Sequence, residues 1–245
     1  MPDHRAHRGR HPEDLQAFAP EMHPRLRAAV SDLSWLLSRD YAPHSALKIV
    51  GDRYRLVERQ RTAVMRCACS DASLARRRQH QVPVSAVAGR LLLIDGYNVL
   101  TTIEAALADG VVIVGRDGCY RDMASMHGTF RRVNETIPAI ELLGEAIAEH
   151  GPSGVVWYLD RPVSNSGRLE AKLLEIAGHR GWNWEVQIAV NPDAVLSSTD
   201  RIVATADSVV LDRCERWFNL AREAVECRIP DARVVDLRPE DSRPG

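Results

Sequence analysis

The sequence predicts an α/β protein: a three-layer sandwich around a central, mainly parallel sheet, with a small helical domain in front of it. Three observations carry that expectation. Short apolar runs alternate with helix-length amphipathic segments, as in strands joined by helical crossovers. Three of the runs end abruptly in an acid: Leu91-Leu92-Leu93-Ile94 in Asp95, Val155-Val156-Trp157-Tyr158-Leu159 in Asp160, and Ile202-Val203-Ala204-Thr205-Ala206 in Asp207. The charge is also divided. Residues 1–90 hold 16 Lys+Arg against 9 Asp+Glu, and residues 91–245 hold 16 against 24, inside a net charge of −1. A basic module is thus joined to an acidic one, which suits either a polyanion grip beside a metal holder or two opposite surfaces that dock on each other.

In chain order, residues 1–20 are rich in His, Arg and Pro without periodicity, and are expected to form a disordered tail. Met22, Leu26, Val30, Leu33 and Leu37 fall at helical spacing, with Pro24 tolerable in the first turn and Tyr41-Ala42-Pro43 as the stop. A short apolar stretch, Ser45 to Val50, leads to a turn at Gly51-Asp52, and a second helix is expected from about Tyr54 to Cys69. Arg76-Arg77-Arg78 and Pro83 mark a linker. The expected organisation is a tail over 1–20, a basic helical domain over 21–75, a linker over 76–89, the α/β domain over 90–238 and a tail over 239–245.

Within the α/β domain, the strand ending at Asp95 should be central and covered on both faces, because it is apolar throughout. A short helix over 101–109 stops at Gly110, and Val111-Val112-Ile113-Val114 is a second strand. Gly115 to Asp122 is a loop dense in glycine and charge. Phe130, Val133, Ile137, Ile140, Leu143 and Ile147 mark a helix that Pro138 either kinks or begins. After the Asp160 strand come a polar loop, a helix with Leu169, Leu173 and Ile176, and an alternating strand with Trp184, Val186, Ile188 and Val190. Asn191-Pro192-Asp193 breaks that strand. A long helix from about Ser208 to Glu226 and a last strand, Val234 to Leu237, follow the Asp207 strand.

In an open parallel sheet, ligands bind beyond the carboxyl ends of the strands. Three acids there would repel one another unless a cation joined them, and hard oxygen donors favour Mg²⁺ or Mn²⁺. Alternatively, each Asp merely caps the helix that follows. On the expected second helix, Arg55, Arg59 and Arg66 fall within an arc of about 40°. That stripe could follow a phosphate backbone, lie in solvent, or bridge to the acidic domain. No apolar stretch approaches a membrane span, and the amino-terminal residues lack the apolar core of a signal peptide. Five cysteines without framework spacing suit reduced thiols in the cytoplasm, and Cys67-Ala68-Cys69 has no matching second pair for zinc. There is no glycine-rich phosphate loop.

Two resemblances rest on particular residues. Ile94-Asp95-Gly96-Tyr97-Asn98 and Ala204-Thr205-Ala206-Asp207, in that order and at those strand ends, make roughly residues 90–238 resemble a PIN-like domain in the broad sense that includes the NYN group. The resemblance implies that Asp95 and Asp207 help to hold a divalent metal for RNA cleavage. It implies further that Asn98 steadies the Asp95 loop or a metal-bound water, that Asp160 completes the site, and that Asp212 is a further ligand candidate. One departure is expected: Asn191 to Asp200 leaves little room for the acid-bearing central helix of such domains, so Asp193 or Asp200 would substitute from a loop. The stretches Leu33 to Arg39, Leu47 to Tyr54 and Arg59-Gln60-Arg61 are similar to a prokaryotic family known as domain of unknown function 434, which is often fused to a PIN-like partner.

The leading expectation is therefore a Mg²⁺- or Mn²⁺-dependent endoribonuclease acting on single-stranded RNA. Asp95, Asp160, Asp207 and Asn98 would form its centre, Arg55, Arg59 and Arg66 its grip, and Arg121 and Arg161 would stand near the scissile phosphate. A nucleic-acid-binding protein with a decayed centre and a small-molecule phosphohydrolase are the alternatives. A homo-oligomer is compatible with the sequence, and no membrane partner is expected.

Overall fold

The computed structural model describes residues 7–124, 132–161 and 163–240. Its amino-terminal part is helical: α1 (Asp14–Ala17), α2 (His23–Leu37), α3 (Pro43–Arg53), α4 (Glu58–Cys67) and α5 (Asp71–His80). Then follow β1 (Leu91–Asp95), α6 (Gly96–Leu107), β2 (Val112–Val114), β3 (Tyr120–Asp122), α7 (Thr136–His150), β4 (Gly154–Asp160), α8 (Ser166–Arg180), β5 (Trp184–Ala189), α9 (Pro192–Ser197), β6 (Ile202–Ala204), α10 (Ser208–Leu211), β7 (Trp217–Phe218), α11 (Leu220–Arg228) and β8 (Val234–Asp236).

Among the described residues the main sheet has five strands in the order β5-β4-β1-β6-β7, and every pairing is parallel. The α/β class and the central position of β1 agree with the sequence expectation. One face of this sheet packs on α6, α7, α8 and α11 through Ile94, Leu100, Leu143, Trp157 and Leu173. The other packs on α9 and α10 through Leu93, Val156, Tyr158, Val203, Leu196 and Val210. Strand β2 does not join the main sheet. It pairs antiparallel with β3 and parallel with β8 in a separate three-stranded sheet. Ile113 and Val235 of that small sheet, with Met123 and Leu237 just past its strand ends, share a core with Leu26, Val30, Leu33, Val50 and Val64 of the amino-terminal helices. The helical domain is thus seated on the small sheet.

Several elements differ from the sequence expectation, each for a local reason. The stretch expected as a tail is packed from residue 7 onward: Arg8 pairs with the buried Glu104, Phe18 is buried, and Asp14 is fully buried against Arg59. Residues 1–6 lie outside the described residues, as do 241–245. The run from Ser45 to Val50 belongs to α3, opened by Pro43 at its first position, where a missing N–H costs nothing. Arg55 sits at φ +49°, a left-handed turn that separates α3 from α4, so the helix expected from about Tyr54 to Cys69 forms but starts only at Glu58. The expected linker begins as the end of α5 and continues as a bridge from Gln81 to Trp217 at the sheet edge. Helix α6 starts at Gly96, directly after β1. A Cβ on Gly96 would lie 2.8 Å from the Tyr158 carbonyl oxygen, so glycine is what lets this helix start so close to β4. Pro138 lies in the first turn of α7 and marks its beginning. The long helix expected over 208–226 is split into α10 and α11 by β7, because Trp217 and Phe218 extend the main sheet beside β6.

Candidate active site

The acids at the strand ends are arranged by register. Asp95 ends β1 opposite Tyr158 of β4, so Asp160 stands two residues farther along its strand. On the other side Ile94 is opposite Ala204, and Asp207 follows three residues later. Because side chains alternate across a sheet, Asp95 and Asp160 share the face on which Leu93, Val156 and Val203 pack against α9 and α10. Helix α9 brings a fourth acid, Asp193, in its first turn. The space expected to be too short for such a helix does hold one, of six residues, with Asn191 capping it through the Ala194 N–H at 3.0 Å.

Asp95 is the deepest of the four, 8% exposed. Its Oδ2 accepts from the Thr205 hydroxyl at 2.8 Å, and that hydroxyl in turn accepts from the Asp207 N–H at 3.0 Å. Burial pushes the Asp95 carboxyl up to about 7; the Thr205 hydrogen bond opposes this, and the charges of Asp207, Asp193 and Asp160 add to it. Burial and then Asp207 raise Asp160; burial, Asp207 and Asp160 raise Asp193. Asp207 Oδ1 accepts from the Val209 and Val210 N–H groups at 2.8 and 3.1 Å, so the capping alternative holds for this residue. Asn98 Oδ1 accepts from the Ala206 N–H at 2.9 Å, tying α6 to the end of β6. Among the described residues, none of the four acids has an ion-pair partner. No three of them stand close enough to grip one ion in this arrangement of side chains. The donor set is nonetheless all hard oxygen, with Asp95 Oδ1 and Asp207 Oδ2 outside the hydrogen bonds just described.

The four acids line a cleft of about 920 Å³ whose opposite wall belongs to the helical domain, including Tyr41, Pro43, Met65, Arg66 and Ser73. A largely buried network adjoins the cleft, with Arg77, Arg121 and Asp212 in its lining. Arg121 grips Asp117 with two nitrogens at 2.9 and 2.7 Å and donates to the Ala206 carbonyl at 2.8 Å. Arg77, 3% exposed, donates to Asp117 at 2.6 Å, Asp212 at 2.7 Å and the Ser208 carbonyl at 3.3 Å. Burial opposes the charge on Asp117, but Arg121 and Arg77 hold its carboxyl well below the usual range. Burial likewise opposes both guanidinium charges, and the acids beside them hold both above their ordinary values. The helical domain thereby fixes α10, and with it Asp207.

The other residues singled out in the sequence are placed differently. Asp212, offered as a further ligand, lies just past the end of α10 and is taken up by Arg77. Asp200 is exposed and beside Arg201. Arg55, Arg59 and Arg66 do not form a stripe. Arg55 is on the turn before α4, Arg59 pairs with Asp14 and donates to the Met123 carbonyl, and Arg66 donates to the carbonyls of Asp122 and Ala124. The bridging alternative describes Arg66, 3.7 Å from Asp122, whereas the acid paired with Arg59 is Asp14 of the amino-terminal part. Arg121 is buried in the network, and Arg161 is exposed on the loop after β4. Two participants carried little sequence signal. Asp122 lines the cleft but is satisfied by Thr101 and the Ala124 N–H, and Tyr41 read only as a helix stop.

Residues 84–223 match the family described as domain of unknown function DUF5616, and residues 25–80 match the protein of unknown function DUF434 family, the second of which agrees with the sequence resemblance. The chain is 29% identical over 203 residues to "Uncharacterized protein MJ0935" of Methanocaldococcus jannaschii, covering 82% of this chain and 97% of that protein. No solved structure matches the chain.

Proposed function

We infer that the chain, which belongs to the DUF5616 family, is a divalent-cation-dependent ribonuclease of PIN-like type whose helical domain completes the cleft. One observation carries this reading: burial and then acidic neighbours raise Asp95, Asp160 and Asp193 beside Asp207 at the end of a parallel sheet, and no cationic side chain among the described residues answers them. Such a cluster is costly without a partner. Mg²⁺ or Mn²⁺ fits its donor chemistry. Asp95 and Asp207 would hold the ion, with Asp160 and Asp193 as further donors in the same cleft. A bound ion supplies positive charge for the phosphoryl oxygens and an acidified water. The chain's own part is positioning. Thr205 fixes one oxygen of Asp95 and leaves the other available, and Asn98 and Arg121 hold Ala206 so that Asp207 stays in place.

A second reading, a nucleic-acid-binding protein without turnover, is favoured by the absence of three acids at ligating distance among the described residues. Incubating purified protein with single-stranded RNA decides between them. The ribonuclease reading expects cleavage with Mn²⁺ or Mg²⁺, none with EDTA, and none from Asp95→Asn. RNA binding without divalent-dependent cleavage would leave only the second.

A further inference from the structure

We propose that the turn between α2 and α3 carries a nucleobase-stacking subsite built on Tyr41, which makes the substrate an unpaired strand. The proposal deepens the ribonuclease reading and rests on it for the class of ligand.

The cleft is poor in free positive charge. Seven aspartates and three arginines line it. All three arginines are engaged within the protein: Arg66 with the carbonyls of Asp122 and Ala124, Arg77 with Asp117 and Asp212, Arg121 with Asp117 and Ala206. Phosphates passing through this cleft would meet net negative walls, so a strand must be held away from the acid cluster by something other than ion pairing. A base face is recognised by an aromatic ring. Two tyrosines line the cleft. Tyr97 is 2% exposed and its hydroxyl is bonded to Ser166, so its ring cannot receive a base. Tyr41 is 49% exposed, on the wall opposite the acids, with Leu37 and Pro43 beside it in the lining.

Its backbone is firmly held. Asp40 turns the chain at φ +60°, the Tyr41 N–H donates to the Leu36 carbonyl at 3.3 Å, and Pro43 opens α3 two residues later. A half-exposed ring on a fixed turn is the arrangement that stacks on a base face, and stacking is tolerant of sequence because every base has such a face. A base-paired strand has its faces covered and would gain nothing from it.

The test measures binding of a fluorescent short oligodeoxyadenylate, and of an abasic oligomer of equal length, in Mn²⁺. Circular dichroism checks the fold of each variant. Tyr41→Ala should weaken oligodeoxyadenylate binding about tenfold, Tyr41→Trp should keep it, and the abasic oligomer should bind the parent and both variants alike. The proposal is overturned if Tyr41→Ala binds oligodeoxyadenylate as the parent does, if it loses equal affinity for the abasic oligomer, or if the parent binds neither. A parent that stacks the oligomer through Tyr41 yet never cleaves RNA sinks the ribonuclease reading and leaves the subsite. Asp95-dependent cleavage with normal binding by Tyr41→Ala sinks the subsite alone.

Discussion

Replacing Asp95 by Asn should stabilise the metal-free protein at neutral and alkaline pH while removing its chemistry. The Asp95 carboxyl is pushed from its ordinary 3.8 to about 7, chiefly by burial and then by its acidic neighbours. An acid whose folded pKa lies above its unfolded value favours the fold only when protonated. Stability is therefore complete below about pH 4, falls as the pH rises through 7, and stays low above it. One pKa unit is worth about 1.4 kcal/mol, so the loss reaches about 4 kcal/mol at its upper end. Asn carries no charge and its amide oxygen can still accept from Thr205. The assay is urea unfolding of parent and Asp95→Asn in EDTA at several pH values. The difference between them should be small at pH 4 and should grow to a few kcal/mol in favour of Asn by pH 8. A variant that is equally stable, or less stable, at pH 8 would mean that the carboxylate is compensated and that the site needs no cation.

Other outcomes follow from the same contacts. Arg77→Ala leaves Asp117 buried with half of its guanidinium partners, and should cost about 3–5 kcal/mol in urea unfolding; Arg77→Lys, which cannot span Asp117 and Asp212 with a planar fork, should recover only part. Arg59→Ala strips the fully buried Asp14 of its cation and should destabilise by a similar amount, whereas Arg55→Ala, at an exposed turn, should stay within about 0.5 kcal/mol. Single-stranded RNA should bind the cleft better as Mn²⁺ is added and poorly in EDTA, since the lining is acidic; affinity indifferent to divalent ions would place the binding surface elsewhere.

What was legible in the sequence is what local pattern encodes. Apolar runs ending in Asp marked the strands β1 and β4, and the third run overshot β6, which ends at Ala204; because all three strands pair in parallel, their acids reach one edge. What was not legible depends on partners far along the chain. The arginine stripe assumed a helix reaching back to Arg55, whose left-handed backbone instead lies on the turn before α4. Arg59 and Arg66 find their acceptors at Asp14, Asp122 and Ala124, which no spacing rule connects. Asp14 and Phe18 look like tail residues until Arg59 and the helical core cover them. Trp217 and Phe218 fit a helical period, yet a two-residue strand beside β6 uses them better. Asp193 was legible as an acid in the right interval, but not the short helix that aims it at the site.

In the proposed reading the strand-end acids hold a divalent cation through Asp95. Titration of the metal-free parent with Mn²⁺, followed by calorimetry at pH 8 beside Asp95→Asn, tests it most directly. The parent should bind Mn²⁺ saturably, and the Asn variant, still folded, should not. Equal Mn²⁺ binding by both proteins, or none by the parent, would contradict it.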